Sequence, residues 1–453
     1  MTTFRMRISL LSVVAFAAAA LVSGQETLTL NIDKAVALGL EKRSSLHASL
    51  MDVEGADARA SEAGSEKLPS LKLQGSFSRL SDVPAFTQTI PAGTFGQPQD
   101  ISIVLSRPVL NVYDFRAAFS QPLFTGFRLQ SNADAAENAA LATSENYVRD
   151  KNALVFDIKN TYWGLFKAGE VKKIVDETIQ QVQAHVDDVK RQMDQGLATT
   201  NDLLRAQVQL SNAQLLQIDA NNNVRLARLN LNRTIGQPID TDIRLETTSE
   251  SLGLSDTLAY TRGAQPFIEL ARQNRPEIRA NQYQIRSSEA GVKAAQSAWY
   301  PQLYLTGNYY YSRPNQRILP TADHFDNTWD VNLVMQFDVW NWGATGDRTQ
   351  QARVQLTQAQ DYTKEIDDAV SLEVTQNYLN LREAGERVGV ARHAVDQANE
   401  NYRVTNEKYK FGLVLNSDVL DAQVSMLQTK TSYTNALVDY KLAEAQLMKS
   451  VGQ

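Results

Sequence analysis

Residues 196–208 read GLATTNDLLRAQV and residues 412–424 read GLVLNSDVLDAQV. The two stretches share Gly-Leu, an aspartate six positions on, and Ala-Gln-Val, at an offset of 216. Each glycine closes a long proline-free run, 128–195 or 344–411, and each aspartate opens another. A glycine after a periodic run followed by Thr, Asn, Ser and Asp reads as one helix stopping and the next being capped. Working outward, the match runs without a gap from Tyr162–Gln237 onto Tyr378–Gln453. It includes Ala168-Gly169-Glu170 on Ala384-Gly385-Glu386 and Gly236-Gln237 on Gly452-Gln453. Farther upstream, Leu68-Pro69 through Gly75 meets Tyr300-Pro301 through Gly307, at an offset of 232. The chain is therefore a tandem duplication, with repeats at 25–237 and 266–453 and a linker at 238–265. The difference between the offsets places an extra insertion in the first copy, in the Pro-, Gly- and Thr-rich 85–109.

Each half predicts helix, strand, loop, strand, very long helix, turn, helix. Strands are expected at about 70–80, 112–122, 302–312 and 330–340, because apolar residues alternate there. Leu71, Leu73, Gly75 and Phe77 share a face, as do Tyr113, Phe115, Ala117 and Phe119. Val331, Leu333, Met335 and Phe337 do the same in the last strand. Such segments fit an ordinary antiparallel sheet with one buried face, and equally the tilted strands of a membrane barrel, which need ~10 residues each. Trp299, Tyr300, Trp329, Trp340 and Trp342 near strand ends favour the membrane. The proline-free helices would each reach on the order of 100 Å at ~1.5 Å per residue. Val175, Ile179, Val182, Val186, Val189 and Met193 step by four and three, a coiled-coil seam. Their counterparts Ala391, Val395, Ala398, Tyr402, Thr405 and Tyr409 are smaller or more polar.

Composition narrows the class. The chain has 453 residues, 43% hydrophobic and 21% charged, with no cysteine. That excludes disulfides, thiolate metal sites and cysteine nucleophiles. Residues 1–24, with Arg5, Arg7 and an apolar stretch from Ile8 to Val22, read as a secretory signal peptide. Gln25 stands where a lipoprotein would carry cysteine, so no lipid is expected there. Removing the peptide takes the net charge from −6 to −8, since Arg5 and Arg7 are its only charges. An acidic exported chain is a poor nucleic-acid binder. No later apolar run approaches 18 residues, leaving a soluble periplasmic protein or an outer-membrane barrel. Four strands cannot close a barrel, two copies would fill their own interior, and three would leave a passage. His47, His185, His324 and His393 lack metal-ligand spacing and read as lone surface histidines. No phosphate loop or nucleophile elbow occurs, so no catalytic, cofactor or metal site is expected and the chain is not read as an enzyme.

In the order and spacing of these features the sequence resembles the TolC-like family of outer-membrane efflux channels. The resemblance spans about 31–453 and rests on several features together. They are the duplication, the strand entries at Pro69 and Pro301, the exit Gln121-Pro122-Leu123-Phe124, and the two tips Gly196-Leu197…Asp202 and Gly412-Leu413…Asp418. It implies a mainly α fold with a β-barrel part, four transmembrane strands per chain. A homotrimer would form a 12-stranded barrel in outer-membrane lipid, continued by an α-helical barrel in the periplasm. It also implies a periplasmic adaptor and an inner-membrane pump, or a type I secretion system, as partners.

The tips carry the candidate site residues. Thr200-Asn201-Asp202 and Asn416-Ser417-Asp418 supply caps for the returning helices, and capping alone is one full account of Asp202 and Asp418. Asp418 and Asp421, three apart, share a helical face. The resemblance makes them the acidic constriction at the entrance, a cation-selective ring. In the first half Arg205 replaces the second carboxylate. The resemblance also implies a latch between Tyr409 and Asp202. Where the family pattern has a base two positions after the second tip glycine, this chain has Val414, so that part of the latch is absent. Gly196, Leu197, Gly412 and Leu413 expose small and apolar groups expected to dock the adaptor. The competing reading is a periplasmic coiled-coil adaptor or scaffold without a pore.

Overall fold

The computed structural model describes residues 27–248, 263–319 and 321–453. The signal peptide expected at 1–24 and most of the linker, 249–262, lie outside them. The first half runs β1 (Leu28–Leu30), α1 (Ile32–Lys42), α2 (Ser44–Ser65), β2 (Ser70–Arg79), β3 (Phe86–Ile90), β4 (Ile101–Ser106), β5 (Asn111–Phe124), α3 (Arg128–Asp194), α4 (Thr200–Thr234) and β6 (Ile243–Leu245). The second runs α5 (Gln265–Asn274), α6 (Pro276–Gln296), β7 (Gln302–Arg313), β8 (Asp326–Gln336), α7 (Ala344–Lys410) and α8 (Asn416–Ser450). Among the described residues the chain forms two compact units. One comprises 27–42, 158–248 and 393–438, and the other 43–157, 263–392 and 439–453.

The second unit holds an antiparallel sheet of order β2-β5-β7-β8. Its register carries one chemistry across all four strands. Leu73 pairs with Ala117, Ala117 with Tyr309, and Tyr309 with Trp329. On the other face Gln74 pairs with Arg116, Arg116 with Tyr310, and Tyr310 with Thr328. Strand alternation thus sorts the sheet into an apolar and a polar face. Among the described residues this face is largely uncovered: Leu73 is 80% exposed and Trp329 70%, and only Phe325 packs over one end, against Tyr113, Phe115 and Tyr311. The polar face is knitted by its own side chains. Arg116 donates to Asn308 at 2.7 Å, and Asn308 donates to Asp330 at 2.8 Å.

β8 ends at Gln336, short of the 340 expected from alternation, because its partner β7 begins opposite it at Gln302, just after Pro301. β8 also begins at Asp326, before the expected 330, so Trp329 lies inside the strand. The expected insertion contains a hairpin, β3 with β4, not an irregular loop. At the strand-to-helix turn Gly126 has φ +60°, and a Cβ there would lie 2.4 Å from the Ser297 carbonyl oxygen. Only glycine fits both demands. Beside it Phe124, Phe127 and Tyr300 meet edge to face at 5.5–6.5 Å. No helix among the described residues is long and apolar enough to cross a membrane.

Among the described residues the first unit is helical apart from a parallel pair of β1 with β6, of which β6 falls in the expected linker. Tyr162 of α3 is fully buried behind it, its hydroxyl 2.6 Å from Thr247 Oγ1. On α4, Ala206, Ala213 and Ala220 are buried at intervals of seven. The opposite face carries Leu204, Val208, Leu215 and Ile218, all exposed. In α3 the seam residues Val175, Val182, Val186 and Val189 are buried, which is what a four-and-three stripe is for.

Candidate functional site at the helix tips

Both long helices stop in the same way. Gly196 (φ +75°) and Gly412 (φ +69°) take the left-handed conformation. The amide of Leu197 donates to Gln192 O at 2.8 Å and that of Leu413 to Lys408 O at 3.0 Å, which satisfies carbonyls that a helix end leaves open. The leucines themselves project away, Leu197 76% and Leu413 71% exposed.

The returning helices begin differently. Thr199 is the N-cap of α4, one position earlier than the sequence suggests. Its hydroxyl oxygen accepts from the Asp202 amide at 3.1 Å, and the Asp202 carboxylate accepts from the Thr199 amide at 3.0 Å and hydroxyl at 2.6 Å. This is a capping box. These bonds from Thr199 hold the Asp202 carboxyl below its ordinary value. At the second tip the residue before the helix is Leu415, which has no capping side chain. Asp418 accepts from the Leu415 amide at 2.9 Å and completes only half of the arrangement. Asp418 and Asp421 are both exposed on α8, and among the described residues Asp421 has no recorded partner.

A small core joins the four helix ends. Val186 and Val189 of α3, Ala206 of α4, Tyr409 of α7 and Val419 of α8 pack together, flanked by Ala198, Leu203 and Val414. Val414 therefore contributes apolar packing where the family pattern has a base. Tyr409 is buried, and burial followed by the charges of Asp202 and Asp188 pushes its phenol up. Among the described residues no hydrogen bond joins Tyr409 to Asp202, whose carboxylate is occupied by Thr199. The Tyr409 ring instead lies 5.1 Å from that of His185.

His185 corrects the expectation of a surface histidine. It is 2% exposed, while His47, His324 and His393 are exposed. Its Nε2 lies 2.7 Å from Asn416 Oδ1, and Asn416 Nδ2 donates to the Asp202 backbone oxygen at 3.0 Å. One side-chain chain thus ties α3, α8 and α4 at the tips. Burial is the larger influence on His185 and lowers its pKa, against smaller upward pulls from Asn416 and Asp188. Sequence reasoning missed this pair, although His185 stands three after Val182 and four before Val189, on the buried stripe. Among the described residues no group of acidic or histidine side chains could hold a metal ion.

The comparisons agree with this architecture. A family model described as "Outer membrane efflux protein" matches residues 36–237 and 267–453, one segment per repeat. Outer membrane efflux protein BepC of Brucella suis is 22% identical over 334 residues, covering 74% of this chain and 71% of its own. Solvent efflux pump outer membrane protein SrpC of Pseudomonas putida is 21% identical over 356 residues, covering 78% and 74%. Among solved structures, CusC superposes with a TM-score of 0.75 at 17% identity over 93% of this chain and 92% of its own. The outer membrane protein VceC of Vibrio cholerae gives 0.72 at 16% over 93% and 96%. With both repeats matched and the fold shared nearly end to end, the chain belongs to the outer membrane efflux protein family.

Proposed function

We propose that this chain is one of three subunits of an outer-membrane exit channel serving a tripartite efflux or type I secretion machine. The observation that carries the assignment is the sheet. Among the described residues its apolar face is largely uncovered, its polar face is internally hydrogen-bonded, and its outer strands β2 and β8 have free edges. An uncovered apolar face suits lipid, and lipid tolerates no open edge, so strands must close on further copies. Three copies of four strands give twelve, enough to leave a lumen lined by the polar face. The helices then continue the duct into the periplasm, with Asp418 and Asp421 at its entrance. Leu197 and Leu413 meet the adaptor that links it to an inner-membrane pump.

The test is reconstitution. Oligomers extracted from the outer-membrane fraction should resist dissociation until heated and should conduct in a planar bilayer. A soluble periplasmic monomer without conductance would replace the channel with the scaffold reading.

A further inference from the structure

We propose that His185, Asn416 and the Asp202 carbonyl form a clasp that holds the two helix tips of one chain together and is released by acid. The inference rests on the channel reading for its consequence, transport, but not for its chemistry.

The hydrogen-bond roles are settled by the middle residue. Asn416 spends its Nδ2 on the Asp202 carbonyl, so its Oδ1 is an acceptor and His185 Nε2 must carry the proton. In the neutral ring Nδ1 is then a lone pair, and among the described residues that buried atom has no protein partner. One turn earlier, Gln181 Oε1 is another buried acceptor without one. The junction is polar and under-satisfied by protein groups, and opening it would expose both atoms to solvent. A second proton on His185 would create a buried cation, which an apolar setting disfavours. Val186, Val189 and Val419 pack in the core at this point. The exposed ring of an opened tip would accept that proton at the ordinary imidazole value of ~6.5. Acid therefore favours the open form. The sign follows from linkage: His185 is lowered in the closed form, so the clasp is intact above the open-form pKa and weakens as pH falls through it.

The charged neighbours on each element leave His185 as the group that changes in this range. On α3, Asp188 is one turn on and ion-paired with Arg191. On α4, Asp202 is held low by Thr199. On α7, Tyr409 is pushed up by burial. On α8, Asp418 is exposed and bonded to the Leu415 amide. The clasp is built once per chain, because the repeat counterparts of His185 and Asn416 are Asn401 and Thr200. It thus belongs to one junction and is not a general property of the repeat.

The experiment uses the full-length trimer, which has no native cysteine to remove. Spin labels on Leu197→Cys and Leu413→Cys report tip separation at steps from pH 7.5 to 3.0, in trimers diluted with unlabelled chain. Bilayer conductance is recorded in parallel on the unlabelled protein. The parent should show wider tip separations and higher conductance in acid, rising at most ~10-fold per pH unit per chain in the open-to-closed ratio. His185→Gln, which keeps a donor but cannot titrate, should lose the pH step. Asn416→Ala should be wide already at pH 7.5. Asp188→Asn should keep the step. An unchanged parent separation, or a full step in His185→Gln, overturns the clasp. If His185→Gln does not fold, the parent's midpoint decides: a value near 6 supports the clasp, and one near 4 assigns the response to carboxylates and overturns it. Label movement in trimers that never conduct would support the clasp and sink the channel reading.

Discussion

At the residue level the two tips are near-copies in sequence and unequal in energy. Asp202 closes a full capping box with Thr199, whereas Asp418 meets only the Leu415 amide. Losing a cap typically costs ~0.5–2 kcal/mol, so Asp202→Ala should lower the thermal midpoint of the trimer more than Asp418→Ala. Equal shifts in a melting series would contradict the ranking. Because the Asp202 carboxyl is depressed in the folded chain, its contribution is present above the ordinary carboxylate value and lost as pH falls through the folded one. The difference between parent and Asp202→Ala should therefore shrink below about pH 4. Asp418 and Asp421 support a second prediction. In a trimer they would gather six carboxylates around the axis, and replacing both with alanine should cut cation preference in the reversal potential across a salt gradient. A preference equal to the parent's, in intact trimers, would leave them as cap and surface residues only. Asp202 and Asp418 were legible as caps because the duplication marks that position in both halves, whereas Asp421 aligns with Arg205 across the repeat and is marked once. Thr199 was not, since Thr200 and Asn201 are equally good caps on paper and only backbone geometry chooses. His185 was passed over because it was judged by metal spacing, when its place on the valine stripe was the informative fact.

At the level of elements, α4 is two-faced. Ala206, Ala213 and Ala220 lie inward, and Leu204, Val208, Leu215 and Ile218 form an exposed stripe at four-and-three spacing. The small residues let helices approach closely, while among the described residues the outer stripe is uncovered and suits a neighbouring subunit. Leu215→Glu with Ile218→Glu should leave helix content unchanged by circular dichroism and dissociate trimers on a semi-native gel. Trimers as robust as the parent's would show that another face makes the contact. Inward, Ala213→Leu overfills a close packing and should cost ~1–3 kcal/mol, seen as a lower unfolding midpoint. Long elements were readable because periodicity accumulates along them. The end of β8 was not, since it is set by where β7 starts. The three-residue strands β1 and β6 were missed because so short a pair, joined across two hundred residues, has no period to detect. The β3–β4 hairpin was hidden in a stretch whose prolines and glycines read as loop.

For the whole molecule, the division of labour between lipid, lumen and partner is what the proposed channel adds to the fold. Leu197 and Leu413 sit at chain reversals with almost no cover, and nothing in their own packing requires an apolar side chain. Leu197→Asp with Leu413→Asp should abolish export while leaving trimers in the outer membrane. Export at the parent's level would rule out docking at these leucines. The free edges of the sheet have a further consequence. β2 comes from the first repeat and β8 from the second, so in the proposed ring each closing seam would join unlike halves of two chains. Such a head-to-tail ring would have no spare seam, and a single misfit copy would leave it open. A chain with a charge planted in β8, such as Val331→Lys, would therefore poison assemblies made with normal copies. Expressed in equal amounts and mixed at random, it would leave only about one ring in eight intact, so a cell would lose far more export than half its gene dose.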